Sequence, residues 1–191
     1  MNEIILASNN ENKLREFRQI FLSKKIISLD DINFNREIDE TGTTLRQNAL
    51  IKVREVFSYS NKICISDDSG LEIDYLNGEP GVYSARYAGN YASSIDNIKK
   101  VLNNLGEAKN RRARFKTVIA YKDSLTEAVF EGEINGNITK NIRGEGGFGY
   151  DPIFIPNNYN ITFSEMKPEQ KNKISHRSLA INKLFKFLYK K

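Results

Sequence analysis

The sequence is poor in the side chains that build disulfides and soft-metal sites. Among 191 residues it has one cysteine, Cys64, and one histidine, His176. A single cysteine cannot form a disulfide within the chain, and one cysteine with one histidine cannot complete a zinc cage or a multi-histidine site. Any metal held by the chain alone must therefore be a hard ion with oxygen ligands. Because Cys64 lies between Ile63 and Ile65, it is typical of a small buried hydrophobe and not of a reactive thiol.

Long apolar runs are also missing. No stretch approaches membrane-spanning length, and the polar Glu3 and Ser8 interrupt the pattern of a signal peptide, so we expect a cytoplasmic protein with no membrane partner. The length predicts a single domain over residues 1–191 and excludes a multi-domain machine. Hydrophobic residues make up 39% and charged residues 28%, which excludes wholesale disorder. The net charge of +5 permits anionic partners without requiring them.

The pattern of apolar residues predicts helices that alternate with strands in the first half of the chain, and two paired long strands later. Residues 3–7 are typical of a buried strand, and Ser8 with Glu11 forms a capping box that predicts a helix start. A second capping box, Thr44 with Gln47, predicts another helix. The other predicted elements are strands near 26–27, 62–66, 114–121 and 128–134, and helices at about 94–105 and 176–189. This order predicts an α/β protein with a mixed sheet flanked by helices.

An acidic pair, Asp67-Asp68, follows the predicted strand at 62–66 and leads into Ser69-Gly70, where we predict that the chain turns. If the pair belongs to a metal site, strand alternation makes one carboxylate the ligand or base and the other its support. A simple capped turn is the alternative, and the residues alone leave both open. In a parallel sheet, the carboxyl ends of neighbouring strands would place residues 8–13 beside this pair.

The segment 144–149 matches the pattern G-x-G-x-x-G. A dinucleotide-binding loop needs a helix directly after it, but Asp151-Pro152 disfavours a helix, and the next residues look extended. The segment is typical of a flexible loop that approaches a ligand, with Phe148 and Tyr150 as stacking surfaces and Asp151 as a hydrogen-bond acceptor; an ordinary turn is the alternative.

Cations surround the start of the predicted last helix. His176 and Arg177 follow Ser175, and Lys171 and Lys173 lie just upstream. The free amides of a helix N-terminus favour anions, so this group suits a phosphate or a nucleobase. A surface or capping histidine is the alternative.

Six segments, in order, resemble the inosine triphosphate pyrophosphatase family, whose members hydrolyse dITP, ITP and XTP to the monophosphate and pyrophosphate. The segments are 6–13 (LASNNENK), 40–42 with 48–49 (ETG, NA), 66–71 (SDDSGL), 81–87 (GVYSARY), 144–152 (GEGGFGYDP) and 175–177 (SHR). One departure is Asn9, where many relatives carry glycine. The resemblance implies an elongated, twisted sheet with a nucleotide cleft, Mg²⁺ as cofactor, a homodimer, purine nucleoside triphosphates as substrates and no stable nucleic-acid partner.

The resemblance also implies residue roles. Glu40 and Asp68 would hold Mg²⁺, Asp68 would be the catalytic base that takes a proton from the water attacking the α-phosphorus, and Asp67 would support it. The 6-oxo group of ITP and XTP would accept hydrogen bonds from donors in the site. The 6-amino group of ATP is itself a donor and cannot pair with them. The residues it places against the substrate are Ser8, Asn9, Asn10 and Lys13 with Lys171 and Arg177 at the triphosphate, Ser69, the pocket residues Phe148, Gly149, Tyr150 and Asp151, and His176 with Arg177 at the purine edge.

Two alternatives stand beside this interpretation. A Maf-like pyrophosphatase, which acts on pyrimidine or modified nucleotides, opens similarly but continues with Ser-Pro-Arg-Arg, whereas this chain has Asn9 to Lys13. A basic nucleic-acid-binding module would use the aromatic residues for stacking and bind oligonucleotides with a strong salt dependence.

Overall fold

A computed structural model describes residues 3–189, which form one six-stranded sheet and five α-helices in that range. The hydrogen-bonded strand order is β2-β1-β3-β4-β5-β6. β1 pairs in parallel with β2 and β3, and β5 pairs antiparallel with β6, so the predicted mixed sheet is confirmed. The elements are β1 Glu3–Leu6, α1 Glu11–Ile20, β2 Lys25–Ile27, α2 Leu45–Ser60, β3 Cys64–Ile73, α3 Ser94–Leu105, β4 Arg112–Lys122, β5 Glu127–Ile138, β6 Phe154–Pro156, α4 Pro168–Ile174 and α5 His176–Leu188.

The described chain divides into two compact units. The first comprises residues up to 68, 117–132 and those from 177 onward, and the second comprises 69–116 and 133–176. The core of the first unit joins β1 and β3 to α1 and α5 through side chains such as Leu6, Phe17, Ile65 and Leu184. The core of the second unit packs α3 against an aromatic group that includes Phe115, Phe154 and Phe163. The prediction of a single domain over 1–191 stays a prediction.

Local signals predicted the second helix better than the first. Thr44 caps α2 with the predicted reciprocal bonds to Gln47, so that helix start is confirmed. The predicted cap of α1 at Ser8 is wrong, because the N-cap is Asn10, whose Oδ1 accepts from the amides of Asn12 and Lys13. Ser8 instead accepts from the amide of Asn10 and shapes the turn that precedes the helix.

The predicted turn at Asp67 is also wrong, because β3 runs without interruption through the acidic pair to Ile73. A strand can contain two adjacent buried carboxylates only if cations from elsewhere in the fold neutralise them. Consecutive side chains of a strand point to opposite faces, so we expect Asp67 and Asp68 to contact different cations, one set on each face of β3.

The later predictions agree with the structure in kind. No α-helix follows the glycine-rich segment, which leads through a short 3₁₀ turn into β6. The two long strands are adjacent in the sheet order, and α3 and α5 lie where periodicity predicted them. Helix α4 was not predicted. Within residues 3–189, no helix combines the length and the apolar character needed to cross a bilayer.

Candidate active site

Asp67 is a fully buried carboxylate held by two cations of the first unit. Its Oδ1 lies 2.6 Å from the ammonium of Lys13 on α1, and its Oδ2 accepts from the Nε of Arg177 at 2.8 Å. Burial alone would raise the pKa of Asp67, but the charges of Arg177 and Lys13 outweigh burial and hold the pKa well below its usual value. Asp67 therefore stays ionised and fixed in place.

Arg177 is among the most deeply buried side chains in the described chain, with 1% of its surface exposed. Besides Asp67, its guanidinium donates to Glu16 on α1. Glu16 was not predicted as a site residue, although a glutamate between Leu14 and Phe17 on a buried helix face indicates a buried ion pair. The predicted contacts of Arg177 with the triphosphate and the purine edge stay predictions, while its observed partners fix Asp67.

Asp68 belongs to a second group, which we call the carboxylate–lysine cluster and define as Glu40, Lys52 and Asp68. The ammonium of Lys52 on α2 donates to Asp68 Oδ1 at 2.6 Å and lies 3.3 Å from Glu40 Oε1. Burial and the charge of Glu40 raise the pKa of Asp68 above its usual value, against the opposing charges of Lys52 and Lys13. Asp68 is thus a carboxylate with increased basicity.

Lys52 is the principal site residue that was not predicted from the sequence. It is 7% exposed, and although burial would lower its pKa, the charges of Asp68 and Glu40 outweigh burial and raise it. Its position carried a signal, since it lies on the same helix face as the buried Asn48, Ala49 and Val56. A lysine at a core position requires an anionic partner.

Two ammonium groups converge at the backbone of the acidic pair. Lys13, from α1, and Lys52, from α2, both donate to the carbonyl oxygen of Asp67, at 3.1 and 3.0 Å. The predicted proximity of residues 8–13 to the acidic pair is therefore confirmed. Ser8 is half-buried, and Asn9 and Asn10 are exposed at the N-terminus of α1; their substrate contacts stay predictions.

The carboxylates of the carboxylate–lysine cluster suit a hard cation. One nitrogen reaches both Glu40 and Asp68, so the two carboxylates flank a common space. No group of three or more His, Cys, Asp or Glu side chains within residues 3–189 could hold a metal. Two carboxylates are nevertheless sufficient for Mg²⁺, which keeps several waters and takes further oxygen ligands from substrate phosphates. The donor set therefore fits the predicted ion.

The glycine-rich loop of the second unit is organised by Asp151. Asp151 Oδ2 accepts from the amide of Phe148 at 2.8 Å and from the ammonium of Lys171 at 2.7 Å. Gly147 has a φ of +72°, and a Cβ at this position would lie 2.2 Å from Asp151 Oδ2, so the close approach requires glycine. The ammonium of Lys171 also lies 4.8 Å from the ring centroid of Phe148, and Phe148 is half-buried.

His176 stacks within the aromatic core of the second unit. Its ring lies 4.7 Å from that of Phe115 at an interplanar angle of 11°, and 5% of its surface is exposed. Tyr150 is equally buried, with its hydroxyl donating to the carbonyl of Ser84 at 2.8 Å. Its ring is therefore engaged in the core, which leaves Phe148 as the half-buried aromatic ring of the loop. Ser69 and Gly149 are half-buried, and the nucleoside contacts of all these residues stay predictions.

The fold and these groups define an α/β protein of the nucleotide-binding class. One unit presents ammonium groups at a buried acidic pair, and the other presents a glycine loop with an aromatic ring, a lysine and a carboxylate. A model of the Ham1 family matches residues 4–187. The chain belongs to this family.

Individual relatives agree over nearly the whole chain. A dITP/XTP pyrophosphatase of Staphylococcus aureus (strain MRSA252) is 44% identical over 189 residues, covering 98% of this chain and 97% of the relative. One from Porphyromonas gingivalis (strain ATCC BAA-308 / W83) is 45% identical over 190 residues, covering 98% of each chain. Among solved structures, the Ham1 protein of Staphylococcus aureus has a TM-score of 0.90 at 44% identity and 98% coverage of both chains. A HAM1 protein of Coxiella burnetii has a TM-score of 0.91 at 38% identity and full coverage of both chains.

Proposed function

We propose that this protein hydrolyses dITP, ITP and XTP to the nucleoside monophosphate and pyrophosphate, and so keeps deaminated purines out of nucleic acids. The observation that carries the proposal is the convergence of Lys13 and Lys52 on the carbonyl of Asp67. Ammonium groups gathered beside a basic carboxylate serve phosphoryl transfer, in which negative charge must be neutralised as pyrophosphate leaves. The names of the curated relatives support the same activity.

The cleavage step assigns different tasks to the two aspartates. Asp68 accepts a proton from the water that attacks the α-phosphorus, and its raised pKa brings it closer to neutral pH, where a general base is most effective. Asp67 cannot share this task, because Lys13 and Arg177 hold it in the ionised, hydrogen-bonded form. It positions Lys13 and the strand that carries Asp68.

Glu40 and Asp68 would hold Mg²⁺. The ion, when bound, supplies Lewis-acid polarisation of the phosphate oxygens and neutralises charge on the leaving group. Removal of divalent cations with EDTA is expected to abolish turnover, and addition of Mg²⁺ to restore it. Full activity in the presence of EDTA would contradict the metal role.

Base selection is proposed for the second unit. Phe148 offers an aromatic ring to the purine, and His176 with Arg177 offers donors to its 6-oxo group, while the amino group of adenine would face those donors unpaired. A polar site that leaves buried groups unpaired can discriminate by about 10⁴–10⁵-fold. ATP is therefore expected to be a poor substrate.

The decisive experiment is a substrate panel. The purified protein with Mg²⁺ is incubated with ITP, dITP, XTP, ATP, GTP, TTP and UTP, and pyrophosphate and monophosphate are measured separately. We expect ITP, dITP and XTP to be cleaved far faster than the others. A preference for pyrimidine nucleotides would favour the Maf-like alternative, and no turnover with salt-dependent oligonucleotide binding would favour the binding module.

A homodimer acting in the cytoplasm, where nucleotides are synthesised, completes the proposal. Sedimentation equilibrium is expected to give twice the chain mass of 21.9 kDa. A concentration-independent mass of one chain would contradict the dimer and leave the activity untouched.

A further inference from the structure

The ammonium of Lys52 lies beside Glu40 and Asp68, in the same space that a divalent cation bound by these two carboxylates would need. Its ammonium is within 2.6 Å of Asp68 Oδ1 and 3.3 Å of Glu40 Oε1, and its third contact is the carbonyl of Asp67 at 3.0 Å. The ammonium donates hydrogen bonds to Asp68 and to the carbonyl of Asp67, and it attracts Glu40 by charge. The side chains of Lys52 and Asp68 are 8% and 10% exposed, so water screens this contact little.

The charge of the group points to the same consequence. Two carboxylates and one ammonium leave a net charge of −1, where an unpaired carboxylate pair would present −2. Lys13 lies beside the group, but its charge is paired with the Asp67 carboxylate at 2.6 Å. A divalent ion that enters this group meets repulsion from a buried ammonium at short range, and that repulsion is strong where the effective dielectric constant is low.

We propose that Lys52 suppresses metal binding in the nucleotide-free protein, so that the divalent cation binds tightly only together with substrate phosphates. This inference rests on the proposed metal site at Glu40 and Asp68. Phosphate oxygens supply the missing negative charge and give both the ion and the ammonium additional partners. The protein thereby avoids holding a metal ion at a site where no nucleotide is bound.

Binding of Mn²⁺ alone to the full-length, nucleotide-free protein tests the inference. Free Mn²⁺ is followed by electron paramagnetic resonance in titrations of the wild type and of Lys52→Met, which removes the charge and keeps a similar chain length. Lys122→Met is the matched control: it also removes one positive charge from the first unit, but its ammonium pairs with Glu127 at 3.5 Å. Lys52→Gln, which retains amide donors for Asp68, provides a second variant in case Lys52→Met does not fold.

We expect Lys52→Met to increase the affinity for Mn²⁺ by about tenfold or more, because charges in contact inside a protein interact strongly, and Lys122→Met to leave it unchanged. Lys52→Gln is expected to show the same increase, and adding Glu40→Gln to either Lys52 variant is expected to reverse it. If the wild type binds Mn²⁺ as tightly as the folded Lys52 variants do, the inference is overturned.

The outcome is separable from that of the proposed function. The titration uses no nucleotide and no turnover, whereas the substrate panel uses only the wild type. A wild type that cleaves dITP while its Lys52 variants gain no Mn²⁺ affinity would overturn the inference alone. A wild type that cleaves no nucleotide would contradict the proposed function, whatever the Mn²⁺ titration shows.

Discussion

Replacing Arg177 with methionine should destabilise the protein severely. The guanidinium is 1% exposed and binds two carboxylates, Asp67 and Glu16. Removing it takes one cation away from two buried carboxylates, a change that costs about 3–5 kcal/mol in the free energy of unfolding. For a chain of this length each kcal/mol shifts the melting temperature by about 2–4 °C. The expected loss is therefore about 6–20 °C.

Thermal denaturation at pH 7, followed by circular dichroism, measures this loss. Arg54→Met is the matched control, because Arg54 also makes a bidentate pair, with Glu127, but is 57% exposed. An exposed pair contributes about 0–1 kcal/mol, so the control should lose about 4 °C at most. Equal losses in the two variants would refute the assignment of Arg177 to a buried ion pair.

The pH dependence provides a second test of the same contact. Since Arg177 and Lys13 lower the pKa of Asp67 in the folded state, the carboxylate contributes stability that is fully present above its unfolded pKa of about 3.9 and is lost as pH falls below it. The difference in melting temperature between wild type and Arg177→Met should therefore narrow progressively as the pH falls below about 4, the unfolded pKa, towards the lowered pKa of Asp67 in the folded state. A constant or widening difference would contradict the ionised state of Asp67.

Four further changes have expected outcomes. Asp68→Asn should keep nucleotide affinity but reduce turnover by about 10²–10⁴-fold, the usual contribution of a general base, and by more where Mg²⁺ binding is lost with it; near-normal kcat with dITP would argue against that role. Gly147→Ala should raise KM by about tenfold, because a side chain at positive φ costs about 1–2 kcal/mol and its Cβ meets a carboxylate. The control is Gly78→Ala, which has a φ of +91° but open space around the Cβ, and an equal KM for both variants would oppose the argument. His176→Ala should weaken the preference for ITP over ATP, and unchanged selectivity would move base recognition elsewhere. Burial raises the pKa of the Cys64 thiol to about 11, so a thiol reagent at pH 8 should label it only in denaturant; rapid labelling of the native protein would show that the thiol is accessible.

The sequence predicted what depends on near neighbours. The capping box of Thr44 and Gln47 spans three residues, and its bonds form within one helical turn. The same kind of signal predicted the wrong cap for α1. Ser8, Asn9 and Asn10 can all cap a helix, and only the path of the backbone determines which of them does. In the structure, Asn10 alone accepts the two amides of the first turn.

The error at the acidic pair has a longer range. Asp-Asp-Ser-Gly has the composition of a turn, and the cations that let it continue as a strand lie far away in sequence. Lys13 precedes Asp67 by 54 residues, and Arg177 follows it by 110. A local sequence pattern spans only a few residues and cannot show partners that are this far apart along the chain. Buried Lys52 and Glu16 were visible only as charged residues at core positions of predicted helices, a signal that shows that a partner is needed without showing which.

The continuity of β3 through the acidic pair explains how two adjacent aspartates come to differ. A turn would have allowed both carboxylates to face the same cations and to behave alike. In the strand, Asp67 faces Lys13 and Arg177, which lower its pKa, while Asp68 faces Lys52 and Glu40, and its pKa is raised by burial. One carboxylate is thereby fixed as an anion that orders the surrounding cations, and its neighbour stays available for proton transfer. The extended backbone of β3, where the sequence predicted a turn, therefore produces the difference in basicity between Asp67 and Asp68 that the proposed reaction requires.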